Sequence, residues 1–173
     1  MTIRPILKYP DERLRGKAEP VTAFDEDLRA LARDLSETML AAPGAGLAAP
    51  QVGVLKRLIV MAGAENHEDF DDRTLVLVNP RLIKAEGEQA FDEGCLSVLD
   101  LQEKVIRSSE VTVSFQDLEG QVREISAEGR RAVILQHEMD HLDGVLFLDH
   151  LSRLKREIYK RRLRKLRKEA GDD

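Results

Sequence analysis

Ala132-Val133-Ile134-Leu135-Gln136-His137-Glu138-Met139-Asp140-His141-Leu142-Asp143-Gly144 sets the architecture of this chain. The first four residues are apolar on every side, so a helix containing them has no face to give to solvent and must lie in the interior. The helix is expected from about Glu128 to Leu142, stopped near Gly144. Residues four apart share a helix face. His137 and His141 can therefore hold one metal ion, with Glu138 beside it as a proton carrier. Two imidazoles are too few for a stable site. Cys95, the only cysteine in the chain, offers a soft third ligand, and a fourth position left for water makes such a site catalytic rather than structural.

Working outward, Leu28, Leu31, Leu35 and Met39 recur at helical spacing with Ala32 and Ala42. They predict a first helix capped by the S/T-x-x-D/E pattern of Thr22-Ala23-Phe24-Asp25 and ended by Pro43-Gly44. Gly44 to Gly53 reads as a loop of small residues. Strands are expected at Arg57 to Met61, Thr74 to Asn79 and around Phe91 to Val98. Val111, Val113 and Phe115 alternate with polar residues as a half-buried strand, which turns at Asp117-Leu118-Glu119-Gly120 and returns through Val122 and Ile125. Strands grouped in mid-chain between helices predict an α+β fold, mostly antiparallel, around the buried central helix.

The 173 residues fit one catalytic domain spanning 1–173. There is no run apolar enough for a membrane span, and no secretory h-region follows Met1. A lone cysteine forms no intramolecular disulfide and fits a reducing, cytoplasmic setting. Ser152 to Lys168 carries a net charge of +9, which leaves −14 for the rest of a chain whose total is −5. A basic C-terminal helix, about 150–170, is thus appended to an acidic body. Leu151, Leu154, Ile158, Leu163 and Leu166, with Tyr159, mark its apolar stripe.

Each motif has an ordinary reading as well. The histidines could make plain hydrogen bonds, Cys95 could be a small buried hydrophobe, and Gly44–Gln51 could be a simple helix-to-strand connection. That segment lacks the Lys-Ser/Thr ending of a phosphate loop. Its small residues do allow backbone to approach a ligand, and Gln51 closes it with an amide donor.

Together, Gly44-Ala45-Gly46-Leu47-Ala48-Ala49-Pro50-Gln51, Glu93-Gly94-Cys95-Leu96-Ser97 and His137 to His141 closely resemble the three ordered motifs of the peptide deformylase family. Tyr9 to Arg15 and Gly144 to Asp149 extend the similarity over nearly the whole chain. The resemblance implies a metal-dependent hydrolase that removes the formyl group from the N-terminal formyl-methionine of nascent proteins and releases formate. It implies Cys95, His137 and His141 as metal ligands, with Fe2+ the common ion and Zn2+, Ni2+ or Co2+ able to replace it. Glu138 would carry the proton. The Gln51 amide and the Leu96 backbone N–H would stabilise the oxyanion, and Gly46 and Ala45 would line a substrate bound like an added strand. Arg107 would lie near the substrate. The basic C-terminal helix would dock on the ribosome.

The chain departs from the family pattern at Pro43, Ala45, Leu99 and Gln102, all expected near the substrate cleft. Two other readings stay open. One is a zinc peptidase, which Cys95 argues against because a carboxylate or third histidine is its usual last ligand. The other is a non-catalytic deformylase-like paralogue that binds formylated peptides or ribosomes, which would more plausibly have lost Glu138 or a ligand.

Overall fold

The computed structural model describes residues 2–63 and 74–170. Among these are seven strands, β1 (Gly46–Ala48), β2 (Leu58–Ala62), β3 (Thr74–Glu86), β4 (Gln89–Cys95), β5 (Val98–Arg107), β6 (Glu110–Gln116) and β7 (Val122–Glu128), and three helices, α1 (Glu26–Ala41), α2 (Gly129–Leu142) and α3 (Arg153–Ala170). Side chains alternate across a strand, and over β1, β2 and the first half of β3 both sides of the main sheet are buried. Leu58, Val60, Val76 and Val78 pack with Leu28, Leu31, Ala32, Leu35 and Met39 of α1. The residues between them, Ile59, Met61, Leu75 and Leu77, pack with Ala132, Leu135 and Leu142 of α2 on the opposite face. The two helices thus sandwich the β1–β3 end of a five-stranded sheet of order β1-β2-β3-β6-β7, antiparallel throughout. The fold is α+β, as expected.

Strands β4 and β5 form a separate antiparallel ribbon. It lies over the other side of α2, above a third cluster that contains Leu14, Val98, Val105, Phe147, Leu151 and Tyr159. So α2 is covered by the sheet on one side and by the ribbon on the other, and this is what buries its polar residues.

Several boundaries differ from the sequence reading for identifiable reasons. The cap of α1 is Asp25, whose side chain accepts from the Leu28 N–H at 3.0 Å, and Thr22 lies outside the helix. The segment expected as a loop contains β1 and a 3-10 turn at Ala49–Val52. Strand β3 continues beyond Asn79 because a register break between Val78 and Arg81 accommodates Pro80. The strand expected at Phe91 to Val98 is split by a two-residue turn, Leu96-Ser97, into β4 and β5.

The apolar stripe of α3 is only partly used. Leu151 and Tyr159 are buried and Leu163 is half-buried, whereas Leu154 and Ile158 are 70% and 57% exposed. The Tyr159 hydroxyl donates to the Leu99 carbonyl at 2.9 Å, which fastens α3 to the start of β5.

Candidate metal centre and cleft

The sequence folds locally so that three distant segments meet at α2. His137, Glu138 and His141 are 8%, 5% and 1% exposed. Helix α2 stops because Gly144 turns the chain with φ +72°, and a Cβ at that position would lie 2.4 Å from the Arg15 carbonyl oxygen. Cys95, the last residue of β4, brings its Sγ to 3.3 Å from His141 Nε2. One ligand atom from each of Cys95, His137 and His141 lies within 4.8 Å of the others.

This donor set fits a divalent ion. A tetrahedral ion with ordinary Zn–S and Zn–N bonds would separate sulfur and nitrogen ligands by about 3.6 Å, close to the Cys95–His141 spacing. His141 is held well below its usual pKa, by burial first and then by the charge on His137, and so stays in the neutral form that a ligand needs. Its Nδ1 is buried without a hydrogen-bond partner. His137 turns its Nδ1 to Glu93 Oε2 at 2.8 Å, leaving Nε2 for the cluster. Burial disfavours its charge, but hydrogen bonds with Cys95 and Glu93 prevail and hold it well above the usual value. A bound ion would take the place of that proton, with the carboxylate raising the ring's basicity.

Behind His137 runs a chain of charges. Glu93 accepts two hydrogen bonds from Arg107, from Nε at 2.7 Å and from a terminal nitrogen at 3.0 Å. Arg107 also donates to Asp140 Oδ2 at 2.6 Å, and His150 Nε2 lies 2.8 Å from the same oxygen. Burial pushes the Glu93 carboxyl up, but His137 and Arg107 outweigh it and bring it down to about 2. The resemblance put Arg107 near the substrate; here its guanidinium turns to Glu93 and Asp140, and it does not line the cleft described below. Arg107 is 6% exposed. Glu93 belongs to the quoted motif, yet sequence reasoning gave it no role. The available signal was a carboxylate two residues before the only cysteine.

Gln51 is pinned by its own loop. Its Oε1 accepts from the Ala48 N–H at 2.8 Å, and its Nε2 donates to Ser97 Oγ at 3.1 Å while lying 3.7 Å from Cys95 Sγ. Glu138 stands against Gly46, where a Cβ would come within 2.5 Å of Oε1. Its Oε2 is buried without a partner. Burial pushes the Glu138 carboxyl up to about 7, with the charge of His137 opposing. A carboxylate so poised can take and return a proton near neutral pH.

These groups open on a cleft of about 970 Å³. Ala45, Gly46, Gln51, Leu96, His137 and Glu138 line it, and so do all four departures, Pro43, Ala45, Leu99 and Gln102. Lys8 from the N-terminal arm and Arg162 from α3 also line it, and nothing in local sequence pattern marked either one.

The model of the polypeptide deformylase family matches residues 3–157. A peptide deformylase of Acidobacterium capsulatum is 49% identical over 99% of both chains. The crystal structure of a peptide deformylase from Legionella pneumophila superposes with a TM-score of 0.87 at 45% identity, covering 99% of each chain. A peptide deformylase of Acinetobacter baumannii, solved with Met-Ala-Ser bound, has a TM-score of 0.79 at 35% identity, covering 87% of this chain and 99% of that one. The chain belongs to the polypeptide deformylase family.

Proposed function

We propose that Cys95, His137 and His141 hold the ion of this metal-dependent deformylase, and that Glu138 carries the proton. The activity is that of the family: hydrolysis of the formyl amide on N-terminal formyl-methionine, giving formate and a free amine. The non-catalytic alternative is set aside, because the family assignment goes with a chain that keeps every ligand and Glu138. The observation that carries the assignment is the convergence of one thiol and two imidazoles beside a buried, unpartnered carboxylate.

When bound, the ion supplies Lewis acidity and makes water nucleophilic near neutral pH. The residues do the rest. Glu138 Oε2, free of hydrogen bonds and buried, accepts the proton of the attacking water. It then delivers that proton to the amine nitrogen as the C–N bond breaks, so that atoms balance as formyl amide plus water gives formic acid plus amine. The Gln51 Nε2 amide and the Leu96 N–H donate to the carbonyl oxygen as its charge grows, and losing one such donor typically lowers rate about 10²–10³-fold. Gly46 and Ala45 present backbone to the peptide as an edge strand would. The mixed thiolate and imidazole ligand set suits several divalent ions, Fe2+ as is common in the family and Zn2+, Ni2+ or Co2+ as substitutes.

The whole chain acts as one catalytic unit in the cytoplasm, where formylated chains emerge. Its basic C-terminal helix docks on the ribosome: Leu154 and Ile158 lie exposed among ten Lys and Arg residues, a surface suited to an RNA-rich partner. Removing 153–173 should abolish ribosome co-sedimentation at low salt, and unchanged sedimentation would sink this part of the proposal. For the chemistry, formyl-Met-Ala-Ser should yield formate and intact Met-Ala-Ser alone. Cleavage within the unformylated peptide would instead identify a peptidase.

A further inference from the structure

Lys8 is exposed, lies far from the metal motifs in sequence and has no place in the chemistry above. Its position is nevertheless specific. The Lys8 ammonium donates to the Leu96 carbonyl oxygen. That carbonyl belongs to the Leu96–Ser97 peptide, whose N–H, on Ser97, donates to Cys95 Sγ at 3.4 Å. One rigid peptide plane therefore connects the lysine to the candidate metal-binding sulfur. The next residue reinforces the placement: the Tyr9 N–H donates to the Ser97 carbonyl at 2.7 Å. One residue earlier, the Leu7 N–H donates to the Gln51 carbonyl at 2.7 Å, and the Gln51 side chain reaches Ser97 Oγ. Residues 7–9 thus run as a strap across the two loops that face the cleft.

We infer that Lys8 is a positioning residue for Cys95, acting through the Leu96–Ser97 peptide. The inference rests on the reading of Cys95 as a metal ligand. A cation on a carbonyl oxygen polarises the amide, so that its N–H becomes a stronger donor. Here that N–H points at the sulfur, which carries negative charge when it ligates an ion. The ammonium also fixes the plane of a two-residue turn that contains neither Gly nor Pro. Loss of the ammonium lets that plane rotate, which moves the Ser97 N–H off the sulfur and disturbs the neighbouring Leu96 N–H. Groups that support a ligand from outside typically change metal affinity about 10–100-fold, and Lys8 acts one bond further out, so about 3–10-fold is expected.

The test uses the full chain as wild type, Lys8→Met and Lys8→Arg. Metal-free protein is titrated with Zn2+ against a competing chelator, and the Co2+-loaded forms are compared by their sulfur-to-cobalt charge-transfer absorption. Lys8→Met should bind Zn2+ about 3–10-fold more weakly, shift the charge-transfer band and lower kcat at unchanged KM. Lys8→Arg, which keeps a cationic donor, should recover most of each. Equal Zn2+ affinity and an unmoved band in Lys8→Met would overturn the inference, and a raised KM alone would make Lys8 a substrate contact instead. Zn2+ binding by wild type that Cys95→Ala leaves intact would instead remove the ligand reading on which the inference stands.

Discussion

Replacing Gly46 with alanine tests the placement of Glu138 without altering its chemistry. Gly46 pairs with Met61 in a buried strand, and Glu138 rises from a helix packed on the same sheet. An alanine Cβ would lie 2.5 Å from Glu138 Oε1, 2.7 Å from Cγ and 2.8 Å from Cδ. Ordinary contact begins at 3.4 Å, so the carboxylate would have to retreat by about 0.9 Å. Neither the strand nor the helix backbone is free to yield, so the displacement falls on the side chain. Misplacing a catalytic group by about 1 Å lowers rate about 10²-fold, equivalent to about 2.7 kcal/mol of transition-state stabilisation. Gly46→Ala should therefore lower kcat/KM for formyl-Met-Ala-Ser about 10²-fold, with one ion still bound per chain. Overpacking should also cost about 1–3 kcal/mol of stability. The assay is formate production coupled to formate dehydrogenase, with metal content and thermal midpoint measured on the same samples. A fully metal-loaded, folded Gly46→Ala that retains wild-type kcat/KM would refute the placement.

Glu138→Ala should keep its ion and lose about 10²–10⁴-fold in kcat; full turnover in that variant would end the proton-carrier assignment. Glu93→Gln leaves Asp140 as the one carboxylate paired with buried Arg107 and takes the negative charge from behind His137. Metal affinity measured by chelator competition should fall about 10–100-fold, and unchanged affinity would show that Glu93 serves packing only. Asp117 accepts from the Glu119 and Gln121 N–H groups and from Arg123. Burial pushes its carboxyl up, but these donors prevail and lower it below the ordinary aspartate value of 3.8. A depressed folded value means that the stability it gives is present above pH 3.8 and fades as pH falls through the lower folded value. The urea-midpoint gap between wild type and Asp117→Asn should therefore close in acid, and a gap that persists there would contradict this.

Legibility followed locality. The central helix and its His137–Glu138–His141 face were readable because an apolar run and a four-residue spacing are local patterns. The split at Leu96-Ser97 was not, because the turn lacks the Gly, Asn or Pro that usually marks one. The alternation of β5 is more instructive. Val105 and Arg107 are 2% and 6% exposed, while Ile106 between them is 68% exposed. Hydrophobicity alone would put Ile106 inside and Arg107 out. The register is set instead by Leu101 and Val105, which share the inward face, and by the two-pronged Arg107–Glu93 pair, whose hydrogen bonds offset the burial of both charges. A pair fourteen residues apart leaves no periodic trace, so the expectation of a substrate contact could not register that the guanidinium pairs with Glu93. The helical period of α3 was real, but period alone does not say which part of a stripe meets a partner. Tyr159 and Leu163 pack, while Leu154 and Ile158 stay in solvent.

The most direct test of the central claim is to strip the metal, return Zn2+ or Ni2+ in steps under anaerobic conditions, and follow formate release from formyl-Met-Ala-Ser. Release should climb in proportion to added ion, level off at one ion per chain, and be absent in Cys95→Ala. Formate release that survives metal removal, or that Cys95→Ala sustains, would contradict the assignment of Cys95, His137 and His141 as the ion's ligands.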